Sequence, residues 1–486
     1  LAQVSLKKNI ALSTFYQVLK IVMPFITAPY ISRVLGPSNV GIYSYTYSIN
    51  TYFTLFAALG TVTYGTREIA RVRNDKAKLS RLFFEIELLS VLTTTACLVA
   101  WGIFAVLNTT YRGYYFALTF NLLAVMFDVS WFYAGIEQFQ YTVGWNSLLR
   151  ILSVIAMFMF VKSPDDLWMY IFIVAFQNFA GNVGMWMGLR KFIHKVDFRQ
   201  LHIGHHFHET LVYFIPTIAT SIYNVLDKTL IGVITRSTAE NGYYEQANKI
   251  LDMTKAVTFV ALNSVMRSRI SYMFANEQYE EIKERIKLST NYVTFMGFGI
   301  CFGLMGIADT FVPWFFGSGY ERTITLLKIM SPVVVIIGLS NCLGSQYYTP
   351  SGRRKESAKY IIMGSVINFC LNMLMIPYLK SYGAAIATVI AELAITIAYI
   401  AHSQGYMNFK TVAAIAWRKL VAGIVMLAVV LLVAKLPVIT ILKIILEVGL
   451  GFSVYCMMLF VLGDAFIRVA TNFVLRHIPG LKGFQI

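Results

Sequence analysis

The stretch NIALSTFYQVLKIVMPFITAPYISR, residues 9–33, decides how the chain is read. As a helix it is long and apolar enough to cross the roughly 30 Å hydrocarbon core of a bilayer. At 100° per residue, however, Ser13, Gln17, Lys20 and Thr27 fall within roughly 80° of one another, with Pro24 in the same arc. A charge near the bilayer centre costs about 2.5–3.5 kcal/mol even on the lenient insertion scale. Lys20 is therefore expected to face water or a partner inside a bundle. Three further stretches repeat the pattern. In 40–64 the stripe is Tyr43, Tyr47, Asn50, Thr51 and Thr54. In 209–234 it is Thr217, Ser221, Asn224 and Lys228, with Asp227 at its edge. In 242–267 it is Glu245, Lys249, Asp252 and Lys255. Four such stripes predict a water-filled cavity within the membrane, and hence a transporter.

The rest of the chain agrees with that class. Of 486 residues, 57% are hydrophobic and only 13% charged, where soluble domains carry about a quarter. Continuous apolar runs such as 420–434 exceed strand length, which argues for an all-α polytopic membrane protein and against a β-barrel. Fourteen transmembrane helices are expected, at 9–33, 40–64, 82–107, 113–136, 144–162, 167–189, 209–234, 242–267, 289–313, 323–349, 357–379, 382–402, 419–435 and 438–462. No cleavable signal is expected, because Lys7 and Lys8 lead straight into the first span without a small-residue cleavage site.

Placement explains the net charge of +17. With a cytoplasmic N-terminus, most Lys and Arg fall in inner segments and seven in the short outer loops. That asymmetry is the positive-inside rule and puts both termini in the cytoplasm. No basic soluble domain remains to carry a nucleic-acid role. The five cysteines are scattered through spans without pairing or metal spacing. The histidines of HIGHHFH (202–208) lack cysteines or a defined ligand pattern, and Val212 fills the last position of the HExxH-like string from His208. No metal or other cofactor is expected. No GxxxxGK[ST] loop occurs, so no ATPase is built in.

A weak internal repeat suggests two halves. Pro24, Ile26, Val34 and Leu35 match Pro216, Ile218, Val225 and Leu226 with one residue of slippage. GIYSYTYSI (41–49) matches GYYEQANKI (242–250) in its Gly, Tyr and Ile. Spans 1 and 7 both start inside, so the repeat is parallel, with its axis along the membrane normal. The expected organisation is an N-terminal lobe over 1–189 and a connecting hinge at 190–208. A C-terminal lobe over 209–402 and spans 13 and 14 with the tail over 403–486 complete it.

VMPFITAPYISRVLGPSNVGIYSYTYSI (22–49), LGTVTYGTREIAR (59–71), NVLDKTLIG (224–232), NGYYEQANKI (241–250) and GAAIATVIAE (383–392) carry a family resemblance. Together they resemble the Wzx-type polysaccharide-repeat-unit flippases of the multidrug/oligosaccharidyl-lipid/polysaccharide (MOP) exporter superfamily. The resemblance implies a MATE-like, V-shaped pair of six-helix lobes working by alternating access, with two extra helices and space beside them for a lipid tail. It implies a multi-pass protein of the bacterial cytoplasmic (inner) membrane. The implied cargo is an undecaprenyl-pyrophosphate-linked oligosaccharide, moved from the cytoplasmic to the outer leaflet for capsule, exopolysaccharide or O-antigen. Membrane lipids, polysaccharide assembly proteins, and a proton or sodium ion as coupling ion are the other implied partners.

Such a cargo requires cations for the diphosphate, and tyrosines and amides for sugar. Lys20, Lys228, Lys249 and Lys255 are the expected anion ligands, accompanied by Gln17, Tyr47, Asn50 and Asn224, with Arg33 at the outer mouth. Lys249 also has Glu245 at i−4 and Asp252 at i+3, and Lys255 has Asp252 at i−3, so internal pairing stands beside ligand binding. Asp128 and Arg150, on sequence-adjacent spans, read as an ion pair or as coupling groups. Asp227 and Glu392 complete the coupling candidates, and Glu447 is a second mid-span glutamate. The competing readings are a lipid II flippase and a cation-coupled multidrug exporter, the latter disfavoured by the lysines. A membrane glycan polymerase would require a longer outer loop, so no enzymatic activity is expected.

Overall fold

The computed structural model describes residues 6–468 and 471. All regular structure among them is helical. Along the chain run α1 (Leu6–Ala58), α2 (Thr61–Val72), α3 (Lys76–Leu107), α4 (Arg112–Met126), α5 (Ser130–Gly135), α6 (Phe139–Phe160), α7 (Leu167–Leu189) and α8 (Ile203–Thr235). Then come α9 (Thr238–Lys255), α10 (Ala261–Ala275), α11 (Tyr279–Phe316), α12 (Glu321–Met330), α13 (Val333–Leu343), α14 (Arg354–Leu379), α15 (Ser381–Ala401), α16 (Phe409–Val433) and α17 (Thr440–Val461). Among the described residues, 11 helical stretches are long and apolar enough to cross a membrane. The first, Thr14–Val72, takes in both expected spans 1 and 2. The helices at expected spans 7 and 8, α8 and α9–α10, are not among the eleven. The chain is thus a multi-pass, all-helical membrane protein.

Local chemistry explains the breaks. α1 departs from helical geometry at Gly36, whose φ of 72° suits a residue without Cβ, and Pro37 follows it. The break separates the arm bearing Lys20 from the arm bearing Tyr47 and Asn50. Asp75 caps α3 by accepting the backbone N–H groups of Ala77 and Lys78, both at 3.1 Å. These bonds hold the exposed Asp75 carboxyl below the usual carboxylate range. Two π-helical turns, Ala256–Val260 after α9 and Gly344–Tyr348 after α13, interrupt the second half.

The contacts divide the chain into two compact units, 1–242 and 243–486, with the 190–208 connection inside the first. The core of the first unit is aromatic, with Trp101, Tyr115, Phe83, Trp131 and Phe132 all but fully buried. A chain of polar side chains threads it. Asn121 donates to Asn50 (3.1 Å), Asn178 to Asn121 (3.1 Å), Gln177 to Asn178 (3.4 Å) and Ser153 to Gln177 (3.2 Å). The two glycines matched by the internal repeat meet within this unit. A Cβ on Gly41 would lie 1.7 Å from the Thr238 carbonyl oxygen, and one on Gly242 would lie 2.0 Å from that of Pro37. Only glycine permits this backbone approach.

In the second unit α14 and α15 form a hairpin, and α11 packs against α13, α16 and α17. Lys419 on α16 has no exposed surface. Its ammonium pairs with Asp464 (3.1 Å) and donates to Asn291 (2.9 Å) and to the Ile415 carbonyl (3.0 Å).

Candidate substrate and coupling site

In the first unit, Lys20 and Arg150 converge on one aromatic ring. Tyr16 lies one turn before Lys20, and the lysine Nζ sits 4.6 Å from the ring centroid. Arg150 arrives from the middle of α6, its guanidinium carbon 5.9 Å from the same centroid. The two cations are close enough to repel each other. Lys20 is exposed and Arg150 half-buried, with its Nε buried and without a hydrogen-bond partner. Cation–π contact offsets part of the cost of two neighbouring positive charges, about 0.5–2 kcal/mol each. It leaves their N–H groups available to an anion.

Two carboxyl groups belong to the same unit. Asp128, in the link from α4 to α5, accepts the Ser130 backbone N–H at 2.9 Å, and its field reaches Tyr16. It also reaches Glu87 on α3, which is 4% exposed and has neither carboxyl oxygen hydrogen-bonded. Glu87 was absent from the candidates read from sequence. The signal was available, since LFFEIELLSVL places an acid in an apolar run just as the surroundings of Glu392 and Glu447 do.

The other expected residues are dispersed. Gln17 and Arg33 are exposed on α1. Tyr47 packs at 5.5 Å on Tyr43, whose ring meets Tyr170 at 5.1 Å. Asn50 is 1% exposed and donates to the Leu118 carbonyl (3.3 Å) as the head of the polar chain, so its amide is occupied by helix packing. Asp227 is buried on α8, within electrostatic reach of Tyr52. The carbonyl of half-buried Lys228 accepts from Asn241 (2.7 Å). The Asn224 side chain lies outside the described residues.

In the second unit Lys249 stands 3.8 Å from Glu245, and Lys255 pairs with Asp252 at 3.0 Å. Two of the internal pairs allowed by the helical spacing, Lys249 with Glu245 and Lys255 with Asp252, therefore form. Glu392 is buried on α15. Glu447 on α17 accepts from the Thr310 hydroxyl (2.8 Å), while its second oxygen is buried without a partner. It lines a cavity of about 350 Å³ whose wall is otherwise apolar except for Thr254 and Tyr455, with Gly303, Ile307, Met426, Val430 and Phe452 among its residues.

A further buried polar cluster sits where α2, α3 and α8 meet. The Tyr64 hydroxyl hydrogen-bonds His206 Nδ1 (2.7 Å), and His206 Nε2 hydrogen-bonds Glu85 Oε2 (2.9 Å). Arg81 Nε donates to the other Glu85 oxygen at 3.0 Å. His206 came from the histidine-rich segment that sequence reading set aside as no metal site. Among the described residues no group of three or more His, Cys, Asp or Glu is arranged to hold a metal.

The family model described as "Polysaccharide biosynthesis protein" matches residues 6–274, more than half of the chain, and takes in Lys20, Glu87, Asp128 and Arg150. The chain belongs to the polysaccharide biosynthesis protein family. Two curated proteins similar to this chain are each named "Putative O-antigen transporter". The protein from Escherichia coli (strain K12) is 24% identical, over 81% of this chain and 95% of its own length. That from Shigella dysenteriae is 23% identical, over 81% and 98%. Among solved structures, lipid II flippase MurJ in an inward closed conformation superposes with a TM-score of 0.74 at 15% identity, covering 94% of this chain and 99% of that one. An inward-facing multidrug resistance MATE family transporter of the MOP superfamily gives 0.64 at 12% identity, covering 82% and 95%. The fold is therefore that of MOP-superfamily transporters.

Proposed function

We propose that this polysaccharide biosynthesis protein is a flippase for undecaprenyl-diphosphate-linked oligosaccharide repeat units, carrying them from the cytoplasmic to the outer leaflet by alternating access. The observation that carries the reading is the Lys20–Arg150 pair. Two cations are held within a helical bundle on one tyrosine ring, and among the described residues neither forms a salt bridge. A diphosphate supplies two negative charges, and Arg can engage it through a bidentate fork. The family membership and the O-antigen transporter names of the relatives support a glycan cargo. Lys228, Lys249 and Lys255 are proposed as further anion ligands, and Gln17 as a ligand for sugar. The apolar cavity between α11, α16 and α17 suits the polyprenyl chain, since each buried CH₂ contributes about 0.8 kcal/mol. Fourteen spans, both termini in the cytoplasm, and a hinge at 190–208 belong to the same proposal.

The test is surface polysaccharide export in cells lacking the native gene, at matched membrane levels of the variants. Lys20→Ala should abolish most export, and Lys20→Arg should retain a substantial part of it. Equal export by Lys20→Ala and wild type would remove the site.

A further inference from the structure

We propose that the apolar cavity between α11, α16 and α17 binds a lipophilic ammonium, an alkyl chain ending in one cationic nitrogen, with Glu447 as its counter-charge. This goes beyond the flippase reading, which gives the same cavity only to a prenyl chain. Glu447 is 1% exposed on α17 and lines the cavity of about 350 Å³. One of its carboxyl oxygens accepts from the Thr310 hydroxyl of α11 at 2.8 Å, and the other is buried without a hydrogen-bond partner. The two other polar side chains of the wall are committed to backbone. The Thr254 hydroxyl donates to the Leu251 carbonyl and the Tyr455 hydroxyl to the Phe295 carbonyl, each at 2.8 Å. The second Glu447 oxygen is therefore the open polar atom of an otherwise apolar wall.

The surrounding helices do not supply its counter-charge. Lys443, one turn earlier on α17, is half-buried and forms no ion pair with it, and Lys435, beyond the end of α16, is exposed. Lys328 of α12 is taken by Asp309 of α11 at 2.5 Å, and Lys255 of α9 by Asp252 at 3.0 Å. On α16, Lys419 pairs with Asp464 at 3.1 Å, and the Arg418 guanidinium lies 5.3 Å from the Trp417 ring centroid.

These features select the ligand. A carboxylate withdrawn from water without a counter-charge is costly, and an ammonium brings both the charge and the N–H donors that the open oxygen lacks. An alcohol brings a donor but leaves the charge uncompensated, and an acid is repelled. The walls set the rest of the molecule. Along α11 the lining runs from Phe295 to Ile307, about 18 Å of helix, which accommodates an extended alkyl chain. Gly303 keeps the space open. A Cβ there would have the Met426 methyl as its nearest neighbour at 3.9 Å, whereas one at Gly306 would meet Val430 at 2.7 Å.

The experiment photo-crosslinks the full chain in lipid vesicles with decylamine, decanol and decanoate, each bearing a diazirine and compared at matched membrane concentrations. Decylamine should label the peptides carrying 295–307 and 447–455 saturably, at a concentration about tenfold below that needed for decanol, because a hydrogen bond to a charged partner is the stronger. Decanoate should give no saturable labelling. Glu447→Gln should bring decylamine to the decanol level, and Gly303→Leu, which fills the cavity, should abolish labelling by both. Equal half-saturation by amine and alcohol in the wild type, amine labelling unchanged in Glu447→Gln, or labelling that survives Gly303→Leu overturns the ammonium site. The Glu447→Gln comparison decides the matter even where Gly303→Leu fails to insert. A short-chain polyprenol with the same photoreactive group reports on the flippase reading separately. Labelling of the same walls by it keeps the prenyl chain there whether or not the amine binds. No such labelling removes the chain from this cavity and leaves the amine result standing on its own.

Discussion

Lys419 and Glu87 are both ionisable side chains with almost no exposed surface, and the two halves of the chain treat them in opposite ways. Lys419, holding α16 against α11 in the second unit, has an ion pair and two further hydrogen bonds. Glu87, in α3 of the first unit, has no hydrogen bond and a second carboxylate for a neighbour. A buried charge with a full set of partners is accounted for by packing alone. A buried acid without any is a cost that packing does not explain. The difference separates a paired anchor from an unpaired buried acid.

The strongest test of the anchor is Lys419→Ala. It strands Asp464 in the interior and should lower unfolding free energy by about 3–5 kcal/mol, read as a drop in thermal midpoint in detergent. Lys419→Met combined with Asp464→Leu should recover most of that loss, because apolar replacement of both partners removes the stranded charge. A single variant as stable as wild type would erase the contrast with Glu87.

The cluster at Glu85 is intermediate. His206→Ala leaves Glu85 with Arg81 but takes the hydrogen-bond partner from the buried Tyr64 hydroxyl, for an expected loss of about 1–3 kcal/mol. If His206→Ala costs as much as Lys419→Ala, the cluster is as strong an anchor as the Lys419 pair.

Glu87 should behave in the reverse sense from Lys419. Glu87→Leu removes an unsatisfied polar group and should raise stability by about 1 kcal/mol while impairing export. A large destabilisation would mean that the carboxyl has a structural partner, and the comparison would collapse. The smallest effect belongs to Lys255→Ala. Its partner Asp252 is exposed, so the pair is worth under about 0.5 kcal/mol, and any larger loss of export than of stability would point to a role in the cargo path.

Sequence alone determined the class of molecule, because the length of an apolar run and the cost of a charge in lipid are local quantities. It also determined the pairs within a turn or so on one helix. The spacing of Glu245 with Lys249 and of Asp252 with Lys255 fixes their proximity wherever the helix is placed. It placed Lys20 on a polar stripe, but a helical period specifies an angle about an axis and not the neighbour at that angle. That is why Asn50, on an equally polar stripe, proves to head an internal chain of amides. Only the tertiary structure brought Arg150 of α6 to the ring beside Lys20, Asp128 within reach of Glu87, and Lys419 to Asp464. These partners lie on different helices, and which helices meet is set by packing across the whole unit, a property no single stretch of sequence contains.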